Sequence, residues 1–359
     1  MTRFSDKLIH WYLDHKRDLP WRNTKNAYLI WLSEIILQQT RVDQGTSYYL
    51  KFSSEFPTVK DLALADNEKV MKLWQGLGYY SRARNLHSTA QLITEKYQGN
   101  FPDSYEDILD LKGIGAYTAA AIASFAYDLP HAVVDGNVYR VLSRVFGVAT
   151  PIDSTAGKKE FYLLANEVMN KKRPALHNQA IMEFGALHCK PVNPDCNHCV
   201  LNTMCVAFAS ARVHELPVKE KKTKVRNRYF NYIVLHHKDK TIVRKRLEKD
   251  IWTNLYDFPL IETTAEVGED AFLKSSPWKQ FIGNIPYTIV SVSSHYKHVL
   301  SHQKIYARFW EVRCEASIKP LAIDSCILVS EKNLPEYAVP RLIENYLHAR
   351  KNKQLLLLC

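Results

Sequence analysis

Glu34 stands in Ala27–Tyr28–Leu29–Ile30–Trp31–Leu32–Ser33–Glu34–Ile35–Ile36–Leu37, which as a helix is apolar around its whole circumference, so its carboxyl must be largely buried. Desolvation disfavours the charged form, raises the pKa and keeps a proton available at neutral pH for a leaving group. A second carboxylate, Asp135, stands in Val133–Val134–Asp135–Gly136–Asn137–Val138, where a short apolar run gives way to a helix start. Aspartate is a favoured N-cap, and backbone N–H groups with the helix dipole are expected to keep it ionised. One acid pushed up and one pushed down suit a reaction through an oxocarbenium-like transition state: the first protonates the departing group and the second stabilises the sugar cation. Read singly, each could equally be structural, a satisfied buried glutamate and an ordinary cap.

Two further patterns carry chemistry. Leu111–Lys112–Gly113–Ile114–Gly115–Ala116–Tyr117–Thr118–Ala119 puts Gly113 and Gly115 at the start of an alanine-rich helix, after the acidic helical stretch from Ser104. This is a helix-hairpin-helix pattern, in which backbone N–H groups at a helix N-terminus approach a phosphate without reading sequence. Cys189, Cys196, Cys199 and Cys205 follow the spacing Cys-x6-Cys-x2-Cys-x5-Cys, whereas Cys314, Cys326 and Cys359 are scattered. Four thiolates so close together suit a tetrahedral zinc or an iron–sulfur cluster, and ligand type does not choose between them. An odd cysteine total without a secretory leader points to a reducing compartment, not to a disulfide framework.

These residues need elements to position them. From Arg3 to about Phe208 apolar residues recur at helical spacing, with helix starts expected at Ser5, Thr58, Ser104 and Asp135. Lys219 to Arg228 holds six basic residues and one acid and reads as an exposed linker over 219–228. Beyond it Tyr229–Leu235, Tyr287–Val292 and Lys304–Val312 read as strands, and Pro340–His348 as an amphipathic helix, giving an α+β part at 229–359. The net charge of +11 over 359 residues suits a polyanionic partner, and no apolar run is long enough to span a bilayer.

Taken together, the motifs closely resemble the adenine DNA glycosylase (MutY) family of helix-hairpin-helix base-excision glycosylases. The resemblance runs through Leu19–Pro20–Trp21–Arg22, Trp31–Leu32–Ser33–Glu34–Ile35–Ile36–Leu37–Gln38–Gln39–Thr40, Gly76–Leu77–Gly78–Tyr79–Tyr80–Ser81–Arg82–Ala83–Arg84–Asn85, the hairpin, the Asp135 segment and the four cysteines. It implies a multidomain chain with an all-α core over 1–218, split into a six-helix lobe at about 26–131 and a cluster lobe formed by 1–25 and 132–218. A Nudix-like lesion-recognition domain would follow. The cofactor it implies is a [4Fe-4S] cluster on Cys189, Cys196, Cys199 and Cys205.

The same resemblance implies removal of adenine mispaired with 8-oxoguanine or guanine in double-stranded DNA, by a monomer in the bacterial cytoplasm. Glu34 would protonate adenine N7, Asp135 would stabilise the sugar cation or its covalent intermediate, and Asn137 and Tyr117 would support them. Trp21, Arg22, Leu37 and Gln179 would line the adenine pocket, while Gln39, Leu77, Tyr79, Gly113 and Gly115 would meet DNA. Tyr117 occupies the position at which glycosylase-lyases related to endonuclease III carry a Schiff-base lysine, and a phenol forms no imine, so a monofunctional enzyme is expected. Ile251–Trp252–Thr253–Asn254–Leu255–Tyr256–Asp257–Phe258–Pro259 resembles a family segment of the second domain. The turn with Ser301 and His302 resembles the family's lesion loop, with Leu300 in place of the usual Phe. The Nudix catalytic pattern Gly-x5-Glu-x7-Arg-Glu-x2-Glu-Glu is missing from the sequence, so lesion recognition is expected instead of pyrophosphate hydrolysis.

Overall fold

The structure is a computed structural model that describes residues 2–220, 225–315 and 325–356; Cys359 and residues 221–224 of the expected linker lie outside the described residues. The chain divides into two compact units, Met1–Ala65 with Asn85–Lys222, and Asp66–Arg84 with Thr223–Cys359.

The helices of the first region are α1 (Thr2–His15), α2 (Ala27–Leu37), α3 (Val42–Glu55), α4 (Val59–Leu64), α5 (Asn67–Leu73), α6 (Ser81–Lys96), α7 (Tyr105–Asp110), α8 (Ala116–Tyr127), α9 (Gly136–Phe146), α10 (Thr155–Val168), α11 (Pro174–Leu187) and α12 (Val206–Ala209). Their starts follow local chemistry. Thr58 caps α4 in a reciprocal capping box with Asp61, Ser104 accepts from Asp107 N, and Asp135 accepts from Asn137 N and Val138 N. Ser5 differs from expectation: it lies inside α1, where its hydroxyl is hydrogen-bonded to His177 Nδ1 at 2.7 Å. Buried α2 and α8 pack on one another, and α11 packs against α1, α8 and α9. The helix that carries Glu34 is thus held by the hairpin helix.

The second unit is built on a sheet of β1 (Arg226–His237), β2 (Lys240–Lys245), β3 (Tyr256–Asp257), β4 (Leu260–Thr263), β5 (Tyr287–Val292), β6 (Tyr296–Val299), β7 (Gln303–Cys314) and β8 (Cys326–Ser330). Its main path runs β3-β2-β1-β7-β5, with β4 on β1, β6 on β7 and β8 on β2. The central β1–β7 pair is parallel and the other pairs are antiparallel. The helices are α13 (Glu269–Lys274), α14 (Ser276–Ile282) and α15 (Arg341–Leu356). Ile233, Leu235, Trp310 and Val312 from the central pair meet Phe272 and Trp278 from α13 and α14 in one apolar cluster. The sheet begins earlier than the sequence suggested, because Arg226 and Arg228 of the expected linker are already ladder residues paired with Gln303 and Ile305. Of the segment expected as a six-helix lobe, Asp66–Arg84 with α5 folds with this second unit.

Gly185 on α11 marks a close approach to α9. A Cβ there would lie 2.7 Å from Asn137 Cβ and 3.0 Å from Asn137 O, while the Gly185 carbonyl accepts from Arg140 Nη2 at 2.7 Å. Alanine would gain about 1 kcal/mol of helix propensity, but a clash with backbone is not relieved by a rotamer change and overpacking costs about 1–3 kcal/mol. Gly185→Ala is therefore expected to lower stability by about 1–2 kcal/mol, read from the urea midpoint; a midpoint at or above that of the parent chain would refute the close-approach argument.

Candidate active site

Glu34, Tyr117, Asp135 and Asn137 line one cavity of about 270 Å³ in the first unit, together with Trp21, Arg22, Leu37 and Gln179. Five stretches of chain deliver them. The short helical turn Pro20–Arg22 supplies Trp21 and Arg22, α2 supplies Glu34 and Leu37, the first turn of α8 supplies Tyr117, and α11 supplies Gln179. Asp135 and Asn137 come from the α9 start. Trp21 is fixed edge-on against Tyr49 at 5.3 Å, and Gln179 Oε1 accepts the Tyr12 hydroxyl at 2.5 Å.

Glu34 is 7% exposed, and burial pushes its carboxyl up to about 7. The hydroxyl of Tyr117 donates to it and pulls the value down, Asp135 pushes it up and Arg22 pulls it down. Burial and the neighbouring Glu34 hold the Tyr117 phenol well above its ordinary range, so it remains a donor. Asp135 is bound as the cap geometry requires: Oδ1 accepts Asn137 N at 2.9 Å and Val138 N at 2.8 Å, and Oδ2 accepts Asn137 Nδ2 at 2.9 Å. Asn137 is oriented in turn by Arg140 Nη2, which donates to its Oδ1 at 2.9 Å. The expected lowering of Asp135 is not found. Desolvation outweighs the hydrogen bonds and Arg140, and its carboxyl is raised above the ordinary aspartate value.

Glu183 is a site residue that the sequence reading missed. It is 1% exposed and takes Arg17 Nη2 and Arg22 Nη2 on Oε2, both at 2.7 Å, with Arg17 N, Arg17 Nε and Arg22 Nη1 on Oε1. Burial alone would raise this carboxyl, but the arginine hydrogen bonds prevail and hold it at about 2. Arg22 therefore faces the cavity with its guanidinium fixed by a carboxylate. A lone glutamate in an apolar helix was the only available signal, and it does not name its partners 166 and 161 positions away.

In the hairpin, α7 and α8 are joined through Gly113, whose φ of +81° and 2.8 Å virtual contact with Asn85 Cβ both require glycine. Gly115 is the exposed N-cap of α8 and supplies no side-chain cap, leaving its first amides outward. Gln39 is exposed just after α2 with a φ of +55°, an uncommon conformation for a residue with a Cβ. In the second unit Tyr79 is 44% exposed, with a φ of +48°. Leu77, expected to meet DNA, is 7% exposed. Ser301 and His302 are exposed on the turn between β6 and β7 that is closed by Leu300 N donating to Gln303 O at 2.8 Å.

Cys189, Cys196, Cys199 and Cys205 line one narrow cavity beneath α9, with Arg144 Nη1 at 3.5 Å from Cys189 Sγ and Leu201 N donating to Cys199 Sγ at 3.4 Å. Burial and the neighbouring thiols push Cys199 up to about 11 and raise Cys196 and Cys205. Among the described residues no group of three His, Cys, Asp or Glu side chains is gathered to hold a metal ion. No helix among the described residues is long and apolar enough to cross a membrane.

Residues 32–165 match the model of the HhH-GPD superfamily of base excision DNA repair proteins, and residues 231–349 match the NUDIX domain. The adenine DNA glycosylase of Buchnera aphidicola subsp. Schizaphis graminum is 35% identical over 261 residues, which span 72% of this chain and 75% of that protein. That of Buchnera aphidicola subsp. Baizongia pistaciae is 33% identical over 312 residues, 84% of each chain. Among solved structures, a thermostable thymine-DNA glycosylase superposes with a TM-score of 0.54 at 28% identity, covering 58% of this chain and 95% of that one. A helical HhH-GPD core with a Nudix-like domain behind it, and relatives of this identity along most of their length, make the chain a member of the adenine DNA glycosylase family of DNA glycosylase enzymes.

Proposed function

We propose that the chain removes adenine mispaired with 8-oxoguanine or guanine in duplex DNA, as a monofunctional glycosylase that flips the base into the Glu34–Asp135 cavity. The observation that carries this reading is the convergence of Glu34, Tyr117, Asp135 and Asn137 on one cavity walled by Trp21, Leu37 and Gln179. An extruded purine needs flat apolar walls and a few polar groups at its edges, and a flipped base must leave the stack to meet any of them.

Glu34 gives its proton to adenine N7. The electron pair of the C1′–N9 bond then leaves with the base, and positive charge develops on the sugar. Asp135, ionised and held by two backbone amides and Asn137, stabilises that cation until water adds at C1′. No lysine is present at Tyr117 to form an imine, so the abasic strand stays intact. Gly113 and Gly115 offer amides to a phosphate, Gln39 and Tyr79 fill stacking space, and Ser301 with His302 reads the base opposite the adenine. Such phosphate contacts carry no sequence information, so mispair choice falls to the cavity and the turn.

For the four cysteines, all of which line one cavity, the group proposed is the [4Fe-4S] cluster that the resemblance to the helix-hairpin-helix glycosylases implies. Bound there, the cluster would cross-link the segment 189–205 that follows α11, with Arg144 of α9 beside Cys189. Purified protein is expected to be brown with about four irons per chain; colourless protein with a single zinc would refute the assignment.

A duplex assay tests the reaction: adenine released opposite 8-oxoguanine without strand cleavage is the expected result, and nicking at thymine glycol would overturn it. Glu34→Gln is expected to cut single-turnover release at least about a hundredfold while leaving DNA affinity in place. The pH profile follows from the two carboxyls. Release should fall about tenfold per unit above pH ~7 as Glu34 loses its proton, and should fall on the acid side as Asp135 gains one. A rate that stays flat through neutral pH would remove Glu34 as the acid.

A further inference from the structure

The segment Ile251–Pro259 has no task in the chemistry above, yet it touches two separate parts of the second unit. On one side it meets Asp66–Arg84, the stretch of helical chain that folds with the sheet. Arg84 Nη1 donates to Thr253 O at 2.7 Å, and the Tyr256 hydroxyl donates to Glu68 Oε1 at 2.8 Å, where Lys245 Nζ adds a bond at 3.0 Å. Tyr256 N donates to Ala338 O at 2.8 Å, and the next residue, Val339, donates through its N to Gln75 Oε1 at 3.3 Å. Between these anchors lies Tyr79, with Gly76 and Gly78 at φ +96° and +73°. The Arg82 guanidinium lies 5.6 Å from the Tyr79 ring centre and donates to Gly78 O at 3.2 Å.

On the other side Trp252 packs edge-on against His298 of β6 at 5.6 Å, and β6 runs directly into the turn that carries Ser301 and His302. The connecting segment is itself well fixed. Trp252 and Asn254 hold left-handed φ values of +64° and +66°, Asn254 N donates to Arg246 O at 2.7 Å, and Arg246 Nη1 is bonded to buried Asp257 at 2.7 Å. Left-handed residues with side chains persist only where surrounding bonds over-determine them.

We propose that Ile251–Pro259 is a coupling brace that positions the Tyr79 wedge on the same support as the Ser301–His302 turn, with Arg84 and Tyr256 as its positioning residues. The inference rests on the reading above in which Tyr79 enters duplex DNA at an adenine mispair. Neither positioning residue touches the reacting atoms; they act on where the wedge stands when the opposite base meets the turn. Specificity for 8-oxoguanine over guanine then depends in part on the Arg84–Thr253 and Tyr256–Glu68 hydrogen bonds.

The test uses the full-length protein with duplexes carrying adenine opposite 8-oxoguanine or guanine, and 2-aminopurine in place of the target adenine to report extrusion by fluorescence. Tyr256→Phe and Arg84→Met should each lose about three- to tenfold in extrusion and in the 8-oxoguanine preference, the range of one hydrogen bond. Arg84→Lys should recover part of the loss, because an ammonium still donates to Thr253 O. In a Tyr79→Ala background neither change should cost anything more. Losses that add fully to Tyr79→Ala, or unchanged extrusion and preference in Tyr256→Phe and Arg84→Met, would overturn the proposal. A parent chain that releases adenine from neither duplex overturns the reading beneath it, a result that differs from any variant effect.

Discussion

Two carboxyl groups, both desolvated by the protein around them, share one cavity, and much of the helical unit can be understood as the means of keeping them there. Burial raises both Glu34 and Asp135, and the charge of Asp135 makes ionisation of Glu34 harder still. Left to desolvation alone, both would be neutral and neither could serve as the anion. The chain resolves this asymmetrically: Asp135 receives two amides of the α9 start and the Asn137 amide group, whereas Glu34 receives the single Tyr117 hydroxyl. The difference in donors separates the two, alongside the deeper burial of Glu34. Position on a helix explains it, because an N-cap residue meets amides that have no other partner and a mid-helix residue meets none.

Fixed charge elsewhere supports this arrangement. Glu183 gathers Arg17 and Arg22 at the cavity wall, and Arg140 ties Asn137 to the carbonyls of Gly185 and Cys189. In the other unit Asp257 binds Arg244 and Arg246, while Arg228 spans Asp250 and Glu262. Buried ion pairs often add little net stability over an apolar packing of the same volume, but removing one partner is severe because the other charge is left buried. Their contribution here is geometric. The Glu183 pairs hold Arg22 at the cavity and the Asp257 pairs hold the 251–259 segment, which apolar packing with its weak directionality would do less well.

What the sequence made legible is what local chemistry decides. Thr58, Ser104 and Asp135 cap helices because a cap needs only its own next three residues, and the hairpin follows from Gly113 and Gly115 for the same reason. Glu34 was recognisable because its neighbours in sequence are its burial. Ser5 was misread as a start since its true partner, His177, lies 172 residues away. The direction of the Asp135 shift was misjudged because the cap is local but the desolvation that exceeds it comes from four other stretches of chain. Strand β2, Lys240–Lys245, escaped notice because charged residues at both ends hide a short buried centre. The grouping of Asp66–Arg84 with the sheet was illegible in principle, since α5 is an ordinary short helix whose Glu68 and Lys72 meet Lys245, Tyr256 and Tyr337, while Gln75 and Arg84 beyond it meet Glu344 and Thr253.

Tyr117 joins the local and the distant parts of this account. The first turn of α8 brings its side chain to the cavity, and a lysine at that place would present a nucleophile to the sugar. A phenol held well above its ordinary pKa instead remains protonated, and it can only donate. Its donation opposes the burial of Glu34 and keeps that carboxyl near 7 when desolvation and Asp135 both push it higher. An acid far above the working pH would hold its proton too tightly to give it away, and one far below would have none to give. In the proposed mechanism, a phenol instead of an amine at this one position would close the imine route and, through a single hydrogen bond, tune the acid on which hydrolysis would depend.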